Sequence, residues 1–182
     1  MRVPLSGGAP EPVLNVGEAD QFACPRLPQK PCVLSSVKGA ELAFSVFDPV
    51  EPKPVEVTRV AINPARFHDW ALSPDGSRIA IVNFDDQVRI VSLGGGAVRD
   101  FKVEGWSLLE SLSWSPGGNS LYIDGFRVRG KGILKLDLDG RVHPLLQREN
   151  QWFMYPVPSP DGRYLAYSAM ITQSNAWTVE GF

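Results

Sequence analysis

One nine-residue stretch constrains this chain more than any other. Leu72-Ser73-Pro74-Asp75-Gly76-Ser77-Arg78-Ile79-Ala80 returns as Trp114-Ser115-Pro116-Gly117-Gly118-Asn119-Ser120-Leu121-Tyr122, and again as Pro158-Ser159-Pro160-Asp161-Gly162-Arg163-Tyr164-Leu165-Ala166. The prolines at 74, 116 and 160 are separated by steps of 42 and 44 residues. A period of about 40–45 residues is that of a four-stranded propeller blade, whose sheets bury their faces only against neighbouring copies.

The repeated stretch is turn chemistry. Proline presets φ for the first central position of a β-turn, Asp bonds its own backbone, and Gly accepts the positive φ that ends the turn. Gly117 replaces the Asp in the middle copy, which keeps the following Gly. Short β-branched and aromatic runs follow each turn: Ile79-Ala80-Ile81-Val82, Leu121-Tyr122-Ile123 and Tyr164-Leu165-Ala166-Tyr167. Runs of that length and kind read as strands, and their nearly continuous apolar character fits sheets covered on both faces. Gly94-Gly95-Gly96 and Asp139-Gly140 are hairpin signals between a blade's third and fourth strands. A phosphate-cradling role for the glycine run requires a helix after it, and no helical period follows.

The expected architecture is all-β: a β-propeller of four-stranded antiparallel blades, with three full blades and a split fourth. Residues 2–5 and 9–14 read as the last two strands of a preceding blade, so that the chain starts in mid-blade and forms the C-terminal part of a larger ring. The blades follow at 20–62, 66–104 and 108–148, and 152–182 is a last blade lacking its fourth strand. The first blade is irregular, with its opening strand over 21–26 and Arg26-Leu27-Pro28-Gln29-Lys30-Pro31 in place of the Ser-Pro turn. In the last blade the third strand is expected over Ala176 to Val179, and Ala9 to Leu14 is a candidate to complete that sheet. An open arc exposes sheet edges and apolar faces, and self-association is its expected consequence.

Composition narrows the function classes. Eighteen basic residues face twenty acidic ones for a formal net charge of −2, which argues against nucleic acid and anionic membranes as partners. No apolar run approaches the roughly 18 residues of a membrane span, and residues 1–20 carry no signal-peptide pattern. There is no Gly-x-Ser-x-Gly elbow, and the histidines, His68 and His143, stand far apart in sequence. No catalytic, cofactor or metal residue is assigned. Asp85, Asp86, Asp124, Asp137 and Asp139 lack the alternating spacing of a calcium loop, and turn formation accounts for most of them.

The three Ser-Pro-Asp/Gly-Gly copies resemble the WD-repeat-like blades of the TolB-type β-propeller family over residues 20–182. The opening Val3-Pro4-Leu5-Ser6-Gly7-Gly8-Ala9-Pro10-Glu11, Cys24 with Cys32-Val33, Phe47-Asp48-Pro49 and the closing Asn175-Ala176-Trp177-Thr178-Val179-Glu180-Gly181-Phe182 resemble more closely the C-terminal propellers of bacterial membrane-anchored serine/threonine kinases or winged-helix regulators. That resemblance implies a non-enzymatic sensory or interaction module outside the membrane, binding a protein, peptide or small ligand. The compartment is then periplasmic, or cytoplasmic if the short chain stands alone. Two rivals remain open: the gating propeller of a larger peptidase or hydrolase, and a solo periplasmic scaffold.

Two sets of residues merit a structural test. Cys24 and Cys32 oppose each other across the first turn. They form a disulfide if their Cα atoms lie within bridging reach, and otherwise are two small core residues. Arg66, Phe67, Trp106, Trp152 and Phe153 cluster near connections between blades, where propellers present binding residues. They are the expected ligand or partner surface.

Overall fold

A computed structural model of the protein describes residues 1–3, 5–17, 20–26, 30–96, 98–128, 130–149 and 151–171. Among them run fourteen strands and no helix. The first sheet holds β1 (Gln21–Ala23), β2 (Cys32–Lys38), β3 (Glu41–Phe47) and β4 (Val55–Ala61). The second holds β5 (Asp69–Leu72), β6 (Arg78–Val82), β7 (Gln87–Ser92) and β8 (Val98–Lys102). The third holds β9 (Ser107–Trp114), β10 (Ser120–Arg127), β11 (Gly130–Asp137) and β12 (Val142–Gln147), and the fourth pairs β13 (Gln151–Pro158) with β14 (Leu165–Ile171). Each sheet is an antiparallel meander in chain order. The expected strand over Ala176 to Val179 lies outside the described residues.

Alternation explains why these strands carry apolar residues on both faces. Along β6, Ile79 and Ile81 join Val33, Phe44 and Trp70 in the core between the first two sheets. Ala80 and Val82 point the other way, into the core shared with Leu112, Trp114 and Leu121 of the third sheet. The first strands of successive sheets lie side by side, β5 along β9 and β9 along β13. The indole N–H of Trp114 donates to the Ala71 carbonyl at 3.0 Å across one of these seams.

The repeated turn is built around its serine, a role the motif did not announce. Ser73 Oγ accepts from the Arg78 N–H at 2.9 Å and donates to Asp75 Oδ1 at 2.5 Å. Ser159 repeats this, accepting from the Tyr164 N–H at 3.0 Å and donating to Asp161 at 2.5 Å. In the copy without Asp, Ser115 accepts from the Ser120 N–H at 3.1 Å and donates to Asn119 Oδ1 at the same distance. Each turn ends on a glycine at positive φ, Gly76 at 70°, Gly118 at 66° and Gly162 at 71°, a conformation that a side chain strains. A Cβ on these glycines would meet a proline of the preceding turn: Pro25 at 3.1 Å for Gly76, Pro74 at 3.6 Å for Gly118 and Pro116 at 3.6 Å for Gly162.

Two expectations change at the N-terminus. Among the described residues of 2–5 and 9–14, neither segment forms a continuous strand. Among the described residues of that stretch, pairing is limited to one antiparallel bridge between Arg2 and Glu11, where the Arg2 guanidinium also meets the Glu11 carboxylate. Val13 and Leu14 instead pack on Cys32, Leu34 and Phe47, the outer face of the first sheet. The opening strand of the first blade is also shorter than 21–26, because pairing in β1 stops at Ala23. Beyond it Cys24 is joined to Cys32 by a disulfide, with Cα atoms 4.1 Å apart.

Candidate functional site

In an up-and-down meander, connections leave alternately at the two ends of the sheet. The Ser-Pro turns therefore share one face, and the β4–β5, β6–β7, β8–β9 and β10–β11 connections share the other. On that second face the β4–β5 connection is held by one side chain. Asn83, just past β6, accepts from the Asn63 N–H at 2.5 Å and donates to the carbonyls of Asn63 at 3.3 Å and Phe67 at 3.2 Å. The Asn63 carboxamide in turn accepts from the Ala65 N–H at 3.1 Å. This fixes Arg66 and Phe67 beside a shallow concavity completed by Val37, Pro64 and His68. Phe67 is 54% exposed there.

The structure separates the five expected surface residues. Arg66 and Phe67 stand together, and Trp152, 41% exposed, opens β13 with its ring edge-on to Phe126 at 5.9 Å. Trp106 and Phe153 are not surface residues, being 5% and 4% exposed. Trp106 is drawn into the core between the second and third sheets, with the Arg127 guanidinium over its ring at 5.3 Å. Phe153 alternates inward on β13 and meets Tyr167 edge-on at 5.5 Å. A residue near a connection is not thereby exposed: the strand's alternation decides.

The third sheet carries a charge cluster of which the sequence singles out only Asp124, among acids that turn formation mostly explains. Asp124 lies inside β10, fully buried, and Lys131 on β11 is 1% exposed. The Lys131 ammonium is 2.8 Å from Asp124 Oδ2 and also bonds Glu110 of β9. Ser111 donates to the other Asp124 oxygen. The ammonium further sits 5.5 Å from the centre of the Phe126 ring. A bulge makes the arrangement possible. Asp124 pairs with Ser111 but Phe126 pairs with Ser107, so extra residues of β9 stand opposite Gly125. Leu108 takes φ 46° in the bulge, and a Cβ on Gly125 would come within 2.7 Å of Leu109. Bulges re-aim side chains in this way, here turning Glu110 onto Lys131. The available signal was a lone Asp in an otherwise apolar strand, with Lys131 at the start of the next.

Asp69 on β5 lies next to this cluster and accepts from the Leu112 N–H at 3.3 Å. Burial pushes its carboxyl up to about 6, and the nearby Asp124 charge adds to the rise, against the Leu112 and Trp70 amides that favour the anion. A folded-state value above the unfolded 3.8 means that the native state holds this proton more tightly. Its contribution is therefore greatest at low pH, declines as pH rises from about 4 to about 6, and is flat above. Asp69→Asn keeps an acceptor for Leu112 and removes this titration. Urea midpoints from pH 4 to 7 are expected to show the variant gaining on the wild type by up to about 1.4 kcal/mol per pH unit at the steepest point. A constant difference would contradict the assignment.

No family model matches the chain, and no curated protein matches it. Solved structures do. TolB from Acinetobacter baumannii superposes with a TM-score of 0.70 at 19% identity, over 95% of this chain and 43% of that one. The chain has a TolB-like β-propeller fold. A functionally unknown protein from Desulfotomaculum acetoxidans DSM 771 matches the same propeller with a TM-score of 0.58 at 16% identity, over 81% of this chain and 47% of that one. Kuenenia stuttgartiensis hydrazine synthase matches with 0.55 at 15% identity, over 76% and 46%. The chain thus spans less than half the length of each of these structures. At these identities the likeness establishes the TolB-like fold and leaves activity to the residues themselves.

Proposed function

We propose that this chain is a non-enzymatic binding propeller that recognises a protein through an extended peptide segment at the face carrying Arg66 and Phe67. The observation that carries this reading is the Asn83 clasp on the β4–β5 connection. An exposed aromatic on a connection that three hydrogen bonds, one of them to its own carbonyl, tie to a rigid sheet is preorganised, and preorganisation reduces the ordering entropy that binding must overcome. Aromatic and Arg side chains are the residue types that most often dominate interfaces.

The Cys24–Cys32 bond supports an oxidising compartment outside the cytoplasm as the working environment. Service as the sensory end of a membrane-anchored kinase or winged-helix regulator rests on the sequence resemblance alone.

Selection of a random 12-residue peptide library on the immobilised protein tests the reading. Enriched peptides are expected to lose at least about tenfold in affinity with Phe67→Ala, and a similar factor with Asn83→Ala, which leaves Phe67 in place but unclasped. Peptides that bind both variants as well as wild type would place recognition elsewhere. Failure to enrich any peptide would overturn the peptide reading.

A further inference from the structure

The disulfide occupies a position that the other blades give to a serine. β1 and β2 pair in the register Gln21↔Ser35, Phe22↔Leu34, Ala23↔Val33, so the next facing pair is Cys24 and Cys32. In the second sheet Asp69↔Val82 through Leu72↔Ile79 leads to Ser73 and Arg78. The third leads likewise to Ser115 and Ser120, and the fourth to Ser159 and Tyr164. In these three sheets the serine hydroxyl accepts from its partner's N–H and closes the turn. A proline follows the closing residue every time, at 25, 74, 116 and 160, and Pro25 stands where a Cβ on Gly76 would meet it, as Pro74 and Pro116 do for Gly118 and Gly162. Cys24 is therefore the first sheet's closing residue, and a covalent bond replaces the hydroxyl–amide bond.

We propose that Cys24–Cys32 is a redox-sensitive clasp, opened by dithiols at Cys24, that holds β1 in the first sheet. Cys24 is exposed whereas Cys32 is 2% exposed, so an incoming thiolate reaches Cys24 Sγ. That sulfur forms a mixed disulfide, the Sγ–Sγ bond breaks, and Cys32 leaves as a thiolate and takes up a proton. The second thiol of the dithiol then displaces Cys24, which is protonated in turn. Two electrons pass to the protein and the dithiol departs as its own disulfide. A free thiol is a weak acceptor compared with a hydroxyl, so the reduced pair does not reproduce the serine closure. β1 has only three residues, and its other side-chain tie, Ser35 Oγ to the Gln21 carbonyl at 3.4 Å, is at the far end. Opening therefore loosens β1 and lifts Pro25 from Gly76, while the third sheet is untouched.

Hydrogen exchange read by mass spectrometry on the full chain tests this. Adding dithiothreitol is expected to speed exchange in residues 20–26 by about tenfold or more, with less than about twofold change in β9–β12. Without reductant, Cys24→Ser with Cys32→Ala is expected to stay within about threefold of wild type, because the new hydroxyl accepts from the residue 32 N–H, whereas Cys24→Ala with Cys32→Ala exchanges like the reduced protein. Excess glutathione is expected to leave its adduct on Cys24. No change on reduction, an equal change in every sheet, serine and alanine variants that exchange alike, or an adduct on Cys32 would each overturn the proposal. Should the double variants fail to fold, reduction and the adduct position still decide.

Discussion

Lys131→Met is expected to lower unfolding stability by about 3–5 kcal/mol, among the largest single-residue effects in this chain. The methionine fills much of the lysine's volume, so loss of packing is a minor part of the effect. What remains is Asp124, fully buried, and Glu110, both turned toward a position with no cation. Ser111 satisfies one Asp124 oxygen; among the described residues, the ammonium is what stands beside the other. Breaking a buried pair by removing one partner exceeds the net worth of the pair, because a desolvated charge is left behind. The double variant Lys131→Met with Asp124→Asn is therefore expected to recover more than half of the loss, a coupling that urea denaturation of the wild type and three variants measures directly. Additive losses would mean that the two side chains do not sense one another.

The architecture was open to reading from sequence because the repeat is enforced by local chemistry. Proline and glycine at fixed offsets set the turns, and β3, β4 and β12 run over the same residues that composition marked, Glu41–Phe47, Val55–Ala61 and Val142–Gln147. What was not legible depends on register. The serine closure becomes visible only once Ser73 and Arg78 are seen to face each other, since five residues of separation look like nothing in a linear motif. Asp124 stands out in the sequence only as one of several scattered acids, because its partners, Glu110 and Lys131, come from two other strands and meet through the β9 bulge. Trp106 was expected on the surface from its place in a connection, whereas the second and third sheets close over it. The expected pairing of residues 2–5 with 9–14 is reduced, among the described residues, to the Arg2–Glu11 bridge for a related reason. Two short segments with a Gly-Gly between them pair only if a sheet accepts them, and here Val13 and Leu14 find their burial on the face of the first sheet instead.

Phe44→Ala is expected to produce a comparable loss, about 3–5 kcal/mol, by a different route. Phe44 is fully buried on β3 between the first two sheets and meets Trp70 edge-on, with ring centres 5.2 Å apart. Trp70 in turn donates its indole N–H to Ser35 Oγ at 2.8 Å, and Ser35 reaches the Gln21 carbonyl. Truncation empties the space against which Trp70 is set, and loosens a side-chain relay that runs from the second sheet through β2 to β1. Because each sheet packs only on its neighbours, stability in such an array is a sum of sheet and seam contributions, and weakening one seam divides the unfolding. Phe44→Ala is therefore expected to release the first sheet at lower urea than the rest, with Trp70 quenching or shifting before the far-ultraviolet circular dichroism falls. Phe44→Leu, which keeps most of the volume, is expected to lose less than half as much and to unfold in one step. A single coincident transition for the alanine variant would show instead that the four sheets unfold as one body, with the seam at Phe44 no weaker than the ladders on either side of it.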